Sequence, residues 1–148
     1  LAGSTFLSLA MGFTGLPRNL AIWIQSMDLS PYVLILVLMI FYIILGMFLD
    51  GISAVVLTMA IIEPMIRQAG FDMIWFGIFL VIVVEMAQIT PPVGFNLFVL
   101  QGMANKDMGY IARSAFPLFI LMIFAVILVV IFPEIALWMP EKMVQNLN

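Results

Sequence analysis

The chain has 148 residues, of which 66% are hydrophobic and only 9% are charged, and its formal net charge is −3. A soluble domain carries roughly a quarter charged residues, so this composition excludes a soluble globular protein and indicates an integral membrane protein. The absence of cysteine and histidine excludes disulfides and the commonest metal ligands, and the few basic residues exclude a nucleic-acid partner.

Residues 1–30 predict the end of a transmembrane helix followed by an interfacial amphipathic helix. The first residues are apolar, with no start Met, charged n-region or cleavage site, so we expect the chain to be the C-terminal part of a longer protein. Pro17 suits the first turn of a helix. The helix that it begins is about ten residues long, too short to span a bilayer.

Residues 31–67 form an apolar run that is too long for one transmembrane helix and too short for two. Gly46, Asp50 and Gly51 interrupt it near the middle. Each arm, about 16 residues long, would reach about 24 Å at 1.5 Å per residue, less than the roughly 30 Å of the hydrocarbon core. We therefore predict a re-entrant helical hairpin, with its tip near 46–53 surrounded by protein or by a water-filled cavity.

Residues 72–104 predict a discontinuous transmembrane helix that is broken at 90–94, where the sequence is TPPVG. Pro91 and Pro92 have no N–H, so the carbonyls of Ala87 and Gln88 lose their helical partners. Two prolines followed by a glycine favour an unwound segment over a simple kink that tunes packing. Unwound carbonyls coordinate cations, and the N-terminus of the following half-helix attracts anions.

The remainder of the chain predicts one uninterrupted transmembrane helix at 113–139 and a polar tail at 140–148. The positive-inside rule does not fix the orientation, because basic residues are expected on both sides of the membrane.

Three stretches together resemble the C-terminal part of the large membrane subunit, DctM-like, of tripartite ATP-independent periplasmic (TRAP) transporters. They are LGMFLDGISAVVLTMAIIEPMIRQAGFD, FGIFLVIVVEMAQITPPVGFNLFVLQG and FPLFILMIFAVILVVIFPEIALWMP. The resemblance implies an all-α integral membrane protein with an elevator-type inverted-repeat fold, of which this chain holds only the second repeat.

The resemblance also implies a function and a set of partners. Members of the family are sodium-coupled secondary transporters and not enzymes. They are multi-pass proteins of the bacterial inner membrane, and they import carboxylates such as C4-dicarboxylates. The expected partners are a small membrane subunit, a periplasmic substrate-binding protein, the remaining N-terminal part of the same permease and the lipid bilayer. The expected coupling ion is Na+, with no other cofactor.

The resemblance places one sodium site and part of the substrate site between the hairpin tip and the broken helix. The candidate cation-binding residues are Gly46, Asp50, Thr90, Pro91 and Gly94, with mainly backbone carbonyls and the Thr90 hydroxyl as ligands. The candidate substrate-binding residues are Asp50, Ser53 and Asn96. Gln88 departs from the family pattern, which has glycine there, so the local lining is expected to differ.

Several of these candidates have ordinary structural alternatives. Asp50 is either a cation or substrate contact or an N-cap of the second hairpin arm. Ser53 is either a ligand hydroxyl or part of the same cap. Asn96 either donates to a carboxylate substrate or packs against a neighbouring helix, and Glu85 is expected to be solvated or paired.

Two other classes of function compete with transport. A passive channel or structural subunit is the first, but a channel favours a ring of identical groups from several subunits. An intramembrane aspartyl protease is the second. It needs two facing aspartates that share a proton, whereas only Asp50 lies within an apolar run.

Overall fold

The computed structural model describes residue 10 and residues 13–91 and 94–145, and every regular element in this part of the chain is an α-helix. The all-α prediction is confirmed. The helices are α1 (Leu16–Gln25), α2 (Pro31–Gly46), α3 (Gly51–Gln68), α4 (Met73–Gln88), α5 (Phe95–Ala104), α6 (Met108–Ile131) and α7 (Glu134–Gln145). The predicted transmembrane helix end in residues 1–13 lies largely outside the described residues.

Aspartate side chains fix where α3, α4 and α6 begin. The carboxylate of Asp50 accepts a hydrogen bond from the backbone N–H of Ser53 at 3.0 Å, and that of Asp72 accepts one from Ile74 at 2.7 Å. Asp107 caps α6 in the same way. Each cap satisfies an N–H group that has no partner within its helix, and a cap of this kind stabilises a helix by about 1 kcal/mol.

Helices α2 and α3 are antiparallel arms joined by the turn at 47–50. The Tyr42 hydroxyl lies 2.8 Å from Thr58 Oγ1, and the two residues are equally far along the chain from Asp50. Both side chains are fully buried. Thr58 also donates to the carbonyl oxygen of Ala54 at 2.8 Å, so the hydroxyl pair is satisfied within the interface of the two arms.

Helix α4 lies at the centre of the molecule and contacts α2, α3, α5, α6 and α7. Its apolar residues face several neighbours at once, and side chains along its whole length are fully buried: Phe76, Phe79, Val83, Met86 and Ala87. A helix that is apolar on nearly all sides is typical of a protein core or of a membrane span. The C-terminal end of α4 is therefore held rigidly where it approaches the α2–α3 turn.

The predicted final span at 113–139 is not a single helix. Helix α6 begins earlier, at Met108, because Asp107 caps it, and it ends at Ile131. Pro133 pushes the preceding Phe132 out of the helical region, to φ −121° and ψ 75°. Helix α7 follows, so the predicted polar tail is helical as far as Gln145, and residues 146–148 lie outside the described residues.

Trp75 compensates for the missing N–H of Pro133. In an uninterrupted helix, the carbonyl oxygen of Val129 would accept a hydrogen bond from the N–H of residue 133, which proline lacks. The indole N–H of Trp75 donates to this oxygen instead, at 2.8 Å and in a buried position. The start of α4 is thereby tied to the end of α6.

Two helices, α3 with 18 residues and α6 with 24, are long and apolar enough to cross a membrane, while α2, α4 and α5 are shorter apolar helices. Large apolar side chains along α6 remain exposed, among them Leu121 at 63% and Phe124 at 57%. An exposed apolar surface of this extent is typical of contact with lipid or with another protein.

Candidate functional site

The α2–α3 turn packs closely against the end of α4. A Cβ atom on Gly46 would lie 2.6 Å from the Cβ of Ala87, and one on Gly51 would overlap the side chains of Val84 and Gln88. Only glycine allows this approach of the two backbones. The observed neighbour of Gly46 is the methyl group of Ala87, and its role as a backbone ligand for a cation stays a prediction.

The break between α4 and α5 begins with an alternative set of hydrogen bonds. Thr90 donates its backbone N–H to the carbonyl oxygen of Ala87 at 3.0 Å and its hydroxyl to that of Met86 at 2.7 Å. Pro91 leaves the carbonyl of Ala87 without its helical donor, as expected, and the N–H of Thr90 supplies another one. A hydroxyl oxygen that donates still has lone pairs for a cation. Residues 92 and 93, in the middle of the break, lie outside the described residues.

Gly94 has a left-handed conformation, with φ +41°, and ends the break as the N-cap of α5. A Cβ atom here would lie 2.9 Å from the carbonyl oxygen of Thr90 and 3.0 Å from that of Gln88. Two carbonyl oxygens of the break thus approach the same side of the Gly94 backbone. A side chain at this position would collide with both.

A cleft of about 540 Å³, here called the carboxylate cleft, lies between the α2–α3 turn and the break. Its lining consists of Asp50, Gly51, Ile52, Glu85, Gln88 and Phe95. Gly51 and Phe95 are the first residues of α3 and α5, so two helix N-termini with their partial positive charges border one space. The carboxylates of Asp50 and Glu85 line it as well, and no basic side chain is among the lining residues.

The predicted substrate-binding residues gather at or beside this cleft. Asp50 lines it and accepts the N–H of Ser53 through Oδ2, so the capping alternative is observed for both residues. Asn96 donates its side-chain amide to Glu85 Oε2 at 3.4 Å, a contact that spans the break. The expectation that Glu85 is solvated or paired agrees with this contact and with its exposure.

Thr90 and Pro91 do not line the carboxylate cleft. They border a second cleft of about 440 Å³ on another side of the break, together with Arg113 of α6. Gln88, which was expected in the local lining, does line the first cleft, whereas Glu85 and Phe95 were not predicted as lining residues. The spacing of Glu85 and Gln88, three apart on a helix, places both on one face and was the available signal.

One protein family matches most of the chain. The family model described as "Tripartite ATP-independent periplasmic transporter, DctM component" matches residues 1–135. The chain belongs to this family. The predicted resemblance is confirmed, and the family is one of transporter permeases, which implies a membrane protein and is not a class of enzymes.

Several relatives of this TRAP permease chain are TRAP transporter permease proteins that are named for different substrates. It is 32% identical over 126 residues to the C4-dicarboxylate TRAP transporter large permease protein DctM of Pseudomonas aeruginosa, covering 85% of this chain and 30% of that protein. It is 30% identical over 127 residues to the 2,3-diketo-L-gulonate permease YiaN of Escherichia coli, covering 86% and 30%. It is 28% identical over 122 residues to the isethionate permease DctMQ of Oleidesulfovibrio alaskensis, covering 82% and 19%.

The chain spans about 30% of the length of the first two of these relatives. No solved structure matches the chain significantly.

Proposed function

We propose that this chain is part of the membrane component of a sodium-coupled secondary transporter in the bacterial inner membrane, where it is a multi-pass protein. The transporter imports a carboxylate that a periplasmic binding protein delivers, and a small membrane subunit and the rest of the permease complete it. The family match supports this proposal, as do relatives named for C4-dicarboxylates and 2,3-diketo-L-gulonate.

The observation that carries the proposal is the meeting of two helix N-termini at the carboxylate cleft. The positive ends of α3 and α5 border the same space through Gly51 and Phe95. Backbone N–H groups at half-helix N-termini bind carboxylates in transporters that have broken helices. The cleft, at about 540 Å³, lies within the range of small-molecule sites.

A sodium ion at the break would reduce the electrostatic cost of binding an anion there. Asp50 and Glu85 line the cleft and would repel a carboxylate substrate. The C-terminal ends of α2 and α4 add partial negative charge nearby. Carbonyl oxygens around Gly46–Asp50 and of Gln88 and Thr90, with the Thr90 hydroxyl, are the ligands that we assign to Na+, because a hard cation prefers oxygen.

The α2–α3 pair is the element that we assign as the re-entrant hairpin of an elevator-type repeat. Its turn packs against the end of α4 through Gly46 and Gly51. Its first arm, α2, is shorter than a candidate span, whereas α3, with 18 residues, is long enough to be one. Irregular backbone within a membrane is tolerated where protein surrounds it. We assign Ser53 and Asn96 as further substrate contacts, since each is hydrogen-bonded to a carboxylate that lines the cleft.

The test uses the complete permease that contains this chain, reconstituted with its small subunit and binding protein. Uptake of a labelled C4-dicarboxylate should follow a sodium gradient and should stop when K+ replaces Na+. Asp50→Asn keeps an acceptor for the helix cap but removes the charge. It should raise the Na+ concentration at half-maximal uptake by about tenfold or more, because the negative charge that attracts Na+ to the turn is lost.

Asp107→Asn is the matched control, since Asp107 also caps a helix but lies outside the cleft. It should leave the sodium dependence unchanged. Uptake that is independent of sodium would contradict the coupling, and an equal effect of the two substitutions would remove Asp50 from the site.

A further inference from the structure

The second cleft beside the break differs from the carboxylate cleft in both charge and lining. It has a volume of about 440 Å³ and lies between the start of the break and α6. Its lining residues are Ile89, Thr90, Pro91, Ala112, Arg113, Phe116 and Phe119. Arg113 is the charged member of this set, and the walls are otherwise apolar apart from Thr90.

Arg113 is an exposed cation for which the described residues supply no salt bridge. The Thr90 hydroxyl already donates to the carbonyl oxygen of Met86, so the guanidinium is the main hydrogen-bond donor that the cleft offers to a ligand. A guanidinium presents five N–H groups in a planar fork and binds phosphate oxygens in pairs. The polar end of the cleft therefore favours a phosphate or a carboxylate.

The position of Arg113 on α6 matches the depth of a lipid headgroup. Helix α6 is the more apolar of the two candidate spans, and Arg113 lies in its second turn, about 9 Å along the axis from Asp107 at 1.5 Å per residue. An arginine near the end of such a helix extends its charge towards the interface. Phe116, 60% exposed, lies one turn deeper.

The apolar surface continues from the cleft along α6 towards the middle of the span. Phe116 and Phe119 stack with their ring centroids 6.5 Å apart, and Ile120 and Phe124 are exposed on the following turns. A chain of methylene groups would cover this apolar surface and shield it from water. A small soluble dianion would contact none of this surface. Arg113 alone would offer it one cation, whereas a dianion needs several donors.

We propose that this cleft binds an anionic phospholipid, with the lipid phosphate on the Arg113 guanidinium and an acyl chain along Phe116 and Phe119. Charge complementarity and the continuity of the cleft with the apolar face of α6 carry this assignment. Because Thr90 and Pro91 form another wall, the bound lipid contacts the segment that joins α4 and α5. The lipid is then a structural neighbour of the break, on a side of it that the carboxylate cleft does not reach.

The experiment measures lipid retention by native mass spectrometry on the complete permease assembly, delipidated and then supplied with phosphatidylglycerol or phosphatidylcholine. The wild type should retain phosphatidylglycerol more strongly than phosphatidylcholine. Arg113→Gln should lower phosphatidylglycerol retention about fivefold, the effect of one basic residue at a membrane surface. Arg113→Lys should keep most of the preference, since it keeps the charge. Arg18→Gln is the control, because Arg18 is outside the cleft, and it should change nothing.

A second pair of variants tests the apolar wall. Phe116→Ala should weaken retention of both lipids alike, because acyl contacts do not depend on the headgroup. Leu121→Ala, an equally exposed position on α6 outside the cleft, should have no effect. Thermal melting of each variant verifies folding, and these substitutions affect exposed side chains.

Two results would overturn the proposal. The first is equal retention of phosphatidylglycerol by Arg113→Gln and Arg18→Gln. The second is release of phosphatidylglycerol by millimolar succinate or inorganic phosphate in the wild type but not in Arg113→Gln, which would make the cleft a site for soluble anions. Neither result depends on whether uptake is coupled to sodium.

Discussion

Tyr42 and Thr58 share a buried hydrogen bond. Removing the hydroxyl of one partner should cost a different amount of stability from removing that of the other. The single hydroxyl proton of Thr58 is donated to the carbonyl oxygen of Ala54, so Tyr42 is the donor to Thr58 Oγ1. The pair joins the arms α2 and α3 well below their turn. It therefore sets how the turn is presented to the end of α4.

Thr58→Val should destabilise the protein more than Tyr42→Phe does. The valine variant leaves the Tyr42 hydroxyl buried without its acceptor, which costs about 1–3 kcal/mol. The phenylalanine variant leaves Thr58 bonded to Ala54, so its cost should be about 1 kcal/mol or less. Thermal melting of the purified permease measures both, and a larger loss for Tyr42→Phe would contradict the assigned direction of the bond.

The residues that end or begin elements were those that the sequence predicted best. Asp50 was expected as a possible cap, and Gly94 as a backbone turn, because capping and left-handed conformations depend on local chemistry. The Tyr42–Thr58 pair was not predicted, since it requires knowing that the two arms are antiparallel and in what register. Hydrogen bonds between distant segments follow from packing, which no local pattern encodes.

At the scale of elements, the contact between α4 and α6 depends on a proline and a tryptophan acting together. Pro133 removes the helical donor of the Val129 carbonyl, and Trp75 replaces it at 2.8 Å. Trp75 also stacks between Phe71 and Phe79, with ring centroids 4.9 and 5.7 Å away. The stack fixes the plane of the indole, and hence the direction of its N–H.

Trp75→Phe should cost less stability when Pro133→Ala is also present. Trp75→Phe alone leaves the buried Val129 carbonyl without a donor, which costs about 1–3 kcal/mol beyond any loss of packing. Pro133→Ala restores a backbone N–H at the helical position for that carbonyl. A double-mutant cycle by thermal melting separates the hydrogen bond from the packing term, because the packing loss is common to both backgrounds. Additive effects of the two substitutions would show that the bond contributes nothing.

The boundaries of α6 illustrate where element prediction from sequence fails. The predicted final span began at residue 113, after a polar stretch, yet Asp107 caps a helix that starts at Met108. The polar residues of its first turns are exposed, so polarity there reflects position on a helix surface and not an absence of helix. The predicted span at 113–139 also ran through Pro133 and so missed the end of α6 at Ile131.

At the scale of the whole molecule, the hairpin tip and the break between α4 and α5 were predicted to frame one site. The structure instead has two clefts beside the break. Asp50 and Glu85 share the carboxylate cleft, while Thr90 and Pro91 border the lipid cleft proposed above. The separation follows from the hydrogen bonds that Thr90 makes back to α4. The position of the break could be predicted from the sequence, but the direction in which each of its residues points could not.

The chain of residues 1–148 alone should not accumulate substrate. An apolar groove of about 420 Å³ between α3 and α4 adjoins the carboxylate cleft, with Ile52 at 79% and Val56 at 69% exposed beside it. Exposed apolar walls next to Glu85 and Gln88 require a covering partner, and carriers of this type bind substrate at the contact of two repeats. Proteoliposomes that contain only residues 1–148 should show no sodium-driven uptake of a C4-dicarboxylate, whereas the complete permease with its partners should show it. Uptake by the isolated chain that a sodium ionophore abolishes would mean that the site is complete without a second repeat, and would contradict the elevator assignment.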